Sequence, residues 1–236
     1  MRPLTTALLV CGAVAGPLFV AAFTAAGCAR PAYDPMRHPV SSLALGTNGW
    51  VQRSNFIING VLYLAMAVGI ARGRSRGALP RFGPAFIAAA GLGQITAGIF
   101  TSDPVSGYPP GTPPAQEGYS GVVPLVHDLG AVPVFIGIPV AALIWARAFM
   151  RHGHRGWAGY SVSTAITMLI GFALTSAAFA QARRLVSFGG LFQRLTVTIG
   201  MGWLSALALE ALSADSAASA TRTRDGVRSA VSRGAP

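Results

Sequence analysis

The sequence predicts an all-α polytopic membrane protein, a bundle of six transmembrane helices in a single domain. Hydrophobic residues make up 52% of the 236 positions and charged residues only 11%, less than half of the roughly 25% carried by a soluble domain. The mean hydropathy is +0.53. The charges also avoid six long stretches and collect between them. Lipid is therefore the solvent for most of the surface, and a disordered chain or an ordinary soluble enzyme is excluded.

The six charge-poor stretches run from Leu4 to Ala26, Ser54 to Ala71, Phe82 to Ser102, Leu129 to Ala146, Trp157 to Ala182 and Leu195 to Leu209. About 20 apolar residues cross the roughly 30 Å hydrocarbon core. Backbone groups in lipid must pair within their own segment, so each stretch is read as a helix. The first is long for a cleaved signal peptide and is read as a retained span. Its Gly12 and Gly16 have the small-xxx-small spacing of close helix contacts. Pro133 and Pro139 fall inside the fourth span and predict a kink with room for a cavity beside it. The sixth is the shortest, with Arg194 and Glu210 expected near opposite interfaces. Polar residues inside spans, such as Asn55, Asn59, Gln94, Thr164 and Thr175, are read as hydrogen-bonding glue between helices.

The formal net charge is +11, and every one of the 18 basic residues is arginine. These arginines sit at span ends rather than along a helix face, so orientation rather than nucleic-acid binding is their expected role. With six spans, one side carries Arg2, Arg72, Arg74, Arg76, Arg81, Arg147, Arg151, Arg155, Arg222, Arg224, Arg228 and Arg233. The other carries Arg30, Arg37, Arg53, Arg183, Arg184 and Arg194. Twelve against six places both termini in the cytoplasm of a cell-membrane protein. Residues 1–212 form the expected membrane domain, and 213–236, rich in Ala, Ser and Arg, read as a flexible basic cytoplasmic tail. Cys11 lies inside the first span and Cys28 at its end, about 25 Å apart along a helix, so they cannot pair within a chain.

Only seven acids exist. Asp34, Asp103, Glu117 and Asp128 all fall in the outer layer with His38 and His127, against the six outer arginines as possible counter-charges. Helix capping explains each acid singly: Asp103-Pro104 reads as a turn after the third helix, and His127 and Asp128 as a cap on the fourth. As a group they mark a candidate site. The loop from Asp103 to Val123, with five prolines and four glycines, is long enough to serve as a functional loop or lid.

Tyr33-Asp34-Pro35-Met36-Arg37-His38-Pro39-Val40-Ser41-Ser42, Gly98-Ile99-Phe100-Thr101-Ser102-Asp103-Pro104, Val126-His127-Asp128 and Gly190-Leu191-Phe192-Gln193-Arg194-Leu195 together resemble a bacterial and archaeal family of six-span proteins, the domain of unknown function numbered 998. That resemblance covers the chain to about Leu212 and implies a fold and a membrane address. A looser resemblance to small bacterial membrane-bound terpene cyclases implies acid-initiated cyclisation of a prenylated, isoprenoid substrate. That chemistry needs a carboxylic acid kept protonated by burial, aromatic faces for the travelling cation, and a dry pocket. It needs no metal or other cofactor. Asp34, Asp103 and Asp128, with His127, are the expected catalytic set. Tyr33, Trp50, Phe56, Phe100, Phe188 and Phe192 are the expected walls for a lipophilic small molecule arriving from the bilayer. The competing readings are a non-catalytic six-span lipid-binding, sensor or transport accessory protein, and a metal-dependent lipid hydrolase using His38, His127 and the three aspartates.

Overall fold

The computed structural model describes residues 3–73, 80, 82–115 and 118–233, and the side chains of 3–214 within them. Glu117, Arg2, Arg74, Arg76 and Arg81, all used in the sequence reading, lie outside the described residues.

Six helices account for the six apolar stretches: α1 (Pro3–Ala29), α2 (Gly49–Gly73), α3 (Gly83–Ile99), α4 (Val122–Arg151), α5 (Arg155–Phe179) and α6 (Gly189–Arg233). All but α3 contain windows long and apolar enough to cross a membrane. At 17 residues α3 is the shortest, about 25 Å at 1.5 Å per residue. Successive helices pack as neighbours, and α6 returns to α1, so the bundle closes on itself. The core runs through its middle and includes Phe19, Tyr63, Ile87, Met168, Trp203 and Leu204.

Small residues and amides set the close approaches. A Cβ on Gly12 would strike Met66 of α2, and one on Gly16 would lie 2.8 Å from the Met201 carbonyl of α6. The paired glycines of α1 thus serve two different neighbours. Asn55 and Asn59 of α2 donate to the Phe19 and Ala15 carbonyls of α1 at 3.1 and 2.8 Å, the interhelical role expected of them.

Two boundaries differ from the sequence reading. The fourth helix starts at Val122 rather than Leu129. Pro124 suits a first turn, and the polar pair His127-Asp128 is carried within the helix instead of capping it; Gly121 precedes it with no side-chain cap. The last helix starts at Gly189 and its backbone stays helical through Arg233, well past Glu210, so residues 213–233 continue it.

The proline expectation in α4 is met by a π-helical turn over Pro133–Gly137. Proline lacks the N–H that would close the ordinary ladder, and a π turn absorbs the lost bond. Above this turn α4 packs on α3; below it α4 packs on α5. The outer halves of α4 and α5 are therefore parted.

Candidate functional site

A chamber of about 780 Å³ lies where those outer halves part, within the roughly 300–1,000 Å³ typical of small-molecule sites. Its lower wall is apolar: Phe19, Phe56, Val134, Phe135, Phe172 and Val197. Phe135 and Phe172 stack at 5.1 Å across the π turn. Leu129, Val132 and Ser176 also line it, yet Leu129 is 60% and Val132 47% exposed, and Ser176 is exposed. The chamber thus has exposed lining on two sides: between α4 and α5, on a flank that faces lipid in a membrane protein, and at the loop rim, where Gly118, Tyr119 and Asp128 are exposed.

Higher up, three polar side chains from three helices line the chamber, each one to two turns from the end of its own helix. Gln94 lies five residues below the outer end of α3, His127 five below the start of α4, and Gln193 four below the start of α6. At 1.5 Å per residue all three stand about 6–8 Å inside the helix ends. Gln94 is 3% and His127 4% exposed. His127 Nδ1 is 2.8 Å from the Phe100 carbonyl oxygen. A carbonyl only accepts, so Nδ1 carries the hydrogen and Nε2 keeps a lone pair in the neutral ring. Gln193 Oε1 accepts from Val40 N–H at 2.7 Å, leaving its Nε2 as a donor. Neither His127 Nε2, Gln193 Nε2 nor the Gln94 amide has a partner among the described residues, although all three side chains line the chamber. The Thr175 hydroxyl, in the same wall, is likewise buried without one.

The rim carries two carboxylates. Asp103 is half-buried and accepts from Ser120 N–H at 3.0 Å and from the Ser120 hydroxyl. Asp128 is exposed and accepts from the Tyr119 hydroxyl at 3.0 Å. That bond and the nearby charge hold the Tyr119 phenol above its ordinary value. Both acids line the chamber with His127 and Phe56, as the sequence reading expected.

The other expected site residues lie elsewhere. Asp34 is exposed, and its Oδ1 accepts from Met36 N–H at 2.9 Å within its own turn. Trp50 is 65% exposed at the start of α2, and Phe188 is 44% exposed beside Phe192, off the chamber. Phe100 contributes its backbone carbonyl rather than its ring. Tyr33 is buried as a loop rivet: its hydroxyl donates toward Pro39 O at 2.9 Å and accepts from Arg194. Burial pushes its phenol up to about 12, against the lowering influence of Arg194.

Among the described residues, four of the six outer arginines donate to backbone carbonyls rather than to the acids. Arg30 donates to Leu43 and Leu45 carbonyls, Arg37 to Ser106, Arg53 to Gly98, and Arg194 to Pro35, His38 and Gly190. Irregular backbone at a low-dielectric boundary has carbonyls to satisfy, and guanidinium offers five donors in a fixed fork. The proposed metal set does not assemble either. His38 Nδ1 accepts from Asp34 N–H at 2.9 Å, and its ring packs against Tyr33 and Tyr108. Among the described residues no three His, Cys, Asp or Glu side chains gather as a metal site.

Burial holds the His38 imidazole below its ordinary value, against the raising pull of Asp34. Protonating Nδ1 would break its bond to Asp34 N–H. A folded value below the unfolded one, about 6.5, means that this stability is fully present above the unfolded value and is lost as pH falls through the folded value. Amide exchange over residues 34–45, corrected for its intrinsic rate, is expected to be flat from pH 8 to 7 and to rise at pH 5. His38→Gln should flatten that profile; a profile equally steep in the variant would assign the effect to another group.

Residues 13–210 match the model of a family described as protein of unknown function (DUF998). No curated protein and no solved structure matches the chain.

Proposed function

The chain belongs to the family of proteins of unknown function numbered 998, and from that premise we propose that it is a cell-membrane protein that admits a lipophilic amphiphile, from the outer half of the bilayer, into the chamber between α4 and α5. The observation that carries this is the sideways opening at Leu129, Val132 and Ser176 onto an apolar floor. A water-soluble ligand has no use for a lipid-facing opening. The arginine asymmetry supports cytoplasmic termini, which puts the chamber in the extracytoplasmic leaflet. Holding such a molecule suits a lipid-binding, sensing or transport accessory role.

Acid-initiated cyclisation of an isoprenoid is the second reading. It is favoured by one specific feature: the Asp103 carboxyl shares the chamber with the aromatic faces of Phe56, Phe135, Phe172 and Phe179. In that reading Asp103, held by Ser120, is the acid and Asp128 its neighbour, while Asp34 has no part. Turnover of a prenylated substrate by membrane fractions, abolished in Asp103→Asn, would support it; unchanged turnover would end it.

The chamber itself is tested by filling it. Ala97 lines it and is 4% exposed. Ala97→Phe is expected to cut the lipophilic material retained by the purified protein at least tenfold, read by native mass spectrometry. Leu92→Phe, at a position 57% exposed on the outside of the same helix, should leave retention unchanged. Equal retention in wild type and Ala97→Phe would contradict the reading.

A further inference from the structure

The polar belt specifies the headgroup. We infer that the chamber selects a neutral amphiphile bearing a free hydroxyl, such as a long-chain alcohol, whose O–H donates to His127 Nε2 while its oxygen accepts from Gln94 or Gln193; this rests on the lateral-access reading above.

Gln94 and His127 are more than nine-tenths buried, line the chamber, and have unpartnered polar atoms. Their free polar atoms open onto the chamber rather than being sealed in protein, so a ligand hydroxyl that pairs with them is favoured over bare hydrocarbon. The belt offers a lone pair at His127 Nε2, donors at Gln94 and Gln193 Nε2, and a second acceptor at Gln94 Oε1. A hydroxyl, donor and acceptor in one atom, matches this set; an ether lacks the proton that His127 Nε2 would receive.

Charge points the same way. The charged residues lining the chamber among those described are Asp103 and Asp128, both at the rim. The nearest arginines spend their donors on backbone carbonyls. An anionic phosphate head at the belt would lie beneath two carboxylates and find no cation in the lining. Depth agrees too. A head at the belt, about 6–8 Å inside the helix ends, leaves its chain to run down past Phe135 and Phe172 or out between Leu129 and Ser176.

The test uses the full chain in lipid nanodiscs with three probes of one chain length: hexadecanol, hexadecyl methyl ether and hexadecyl phosphate. Hexadecanol is expected to bind at least tenfold more tightly than either of the others. His127→Phe should erase the preference for alcohol over ether, and Gln94→Met, which alters the belt without touching His127, should reduce it. Alcohol and ether binding equally to wild type, both lost in Ala97→Phe, would overturn the headgroup assignment and leave the chamber standing. Binding of all three unaffected by Ala97→Phe would overturn both.

Discussion

Gly60→Leu is expected to abolish the folded bundle. A Cβ at Gly60 would lie 2.4 Å from the Gly91 carbonyl oxygen of α3 and 2.7 Å from Ile95 Cγ1, and one at Gly91 would lie 2.8 Å from the Gly60 carbonyl oxygen. The two backbones approach face to face, so the nearest obstacle on each side is a helix carbonyl, which cannot swing aside as a side chain can. Overpacking by single methylenes already costs about 1–3 kcal/mol. A leucine driven between two helix backbones exceeds that and takes up much of a stability of roughly 5–15 kcal/mol. Gly202→Leu is the control, because nothing lies within 4 Å of its would-be Cβ. Gly202→Leu should give the wild-type yield of monodisperse protein and unfolding temperature, and Gly60→Leu should give aggregate. Indistinguishable melting of the two would refute the α2–α3 packing.

Arg194→Ala is expected to release the first outer loop. Arg194 ties Pro35, His38 and Gly190 carbonyls to the Tyr33 hydroxyl, with its guanidinium 5.4 Å from the Tyr33 ring centre. Hydrogen bonds to a charged group contribute about 1.5–3 kcal/mol each before losses to solvent. Removing the whole fork should destabilise the protein by about 3 kcal/mol and open residues 30–48 to proteolysis. Arg194→Lys should not restore protection, since a single ammonium cannot span the same acceptors. Full protection in Arg194→Ala would show that the loop is held by the chain's own turns.

The helices were legible because lipid leaves the sequence little freedom: apolar runs bounded by arginine read directly as spans. The start of α4 was not, because His127 and Asp128 interrupt the run. Composition cannot distinguish a polar pair at a helix start from one carried in its second turn with only His127 turned inward. Asp103, Asp128, His127 and Phe56, grouped in the sequence by their shared layer, all line the chamber. Asp34, Tyr33 and Trp50 share that layer too, but layer does not fix azimuth, and they point away from the gap. Gln94 and Thr175 looked the same as Asn55 and Asn59, all polar residues in apolar helices. Only the parting of α4 from α5 turns the first pair toward a chamber while the second pair meets α1. The sequence carried no signal of this, since spans starting at Leu129 and Leu195 leave His127 and Gln193 outside the helices that hold them.

The most direct measurement is a map of where a long-chain alcohol sits. Protein in liposomes is irradiated with a hexadecanol carrying a diazirine near the chain end, and the labelled peptides are identified. Adducts are expected on the chamber walls at Phe135, Phe172 and Val197 and should vanish in Ala97→Phe. Adducts confined to the outer helix faces, at Leu92, Ile166 and Ile170, in wild type and variant alike, would contradict a lipid-accessible chamber between α4 and α5.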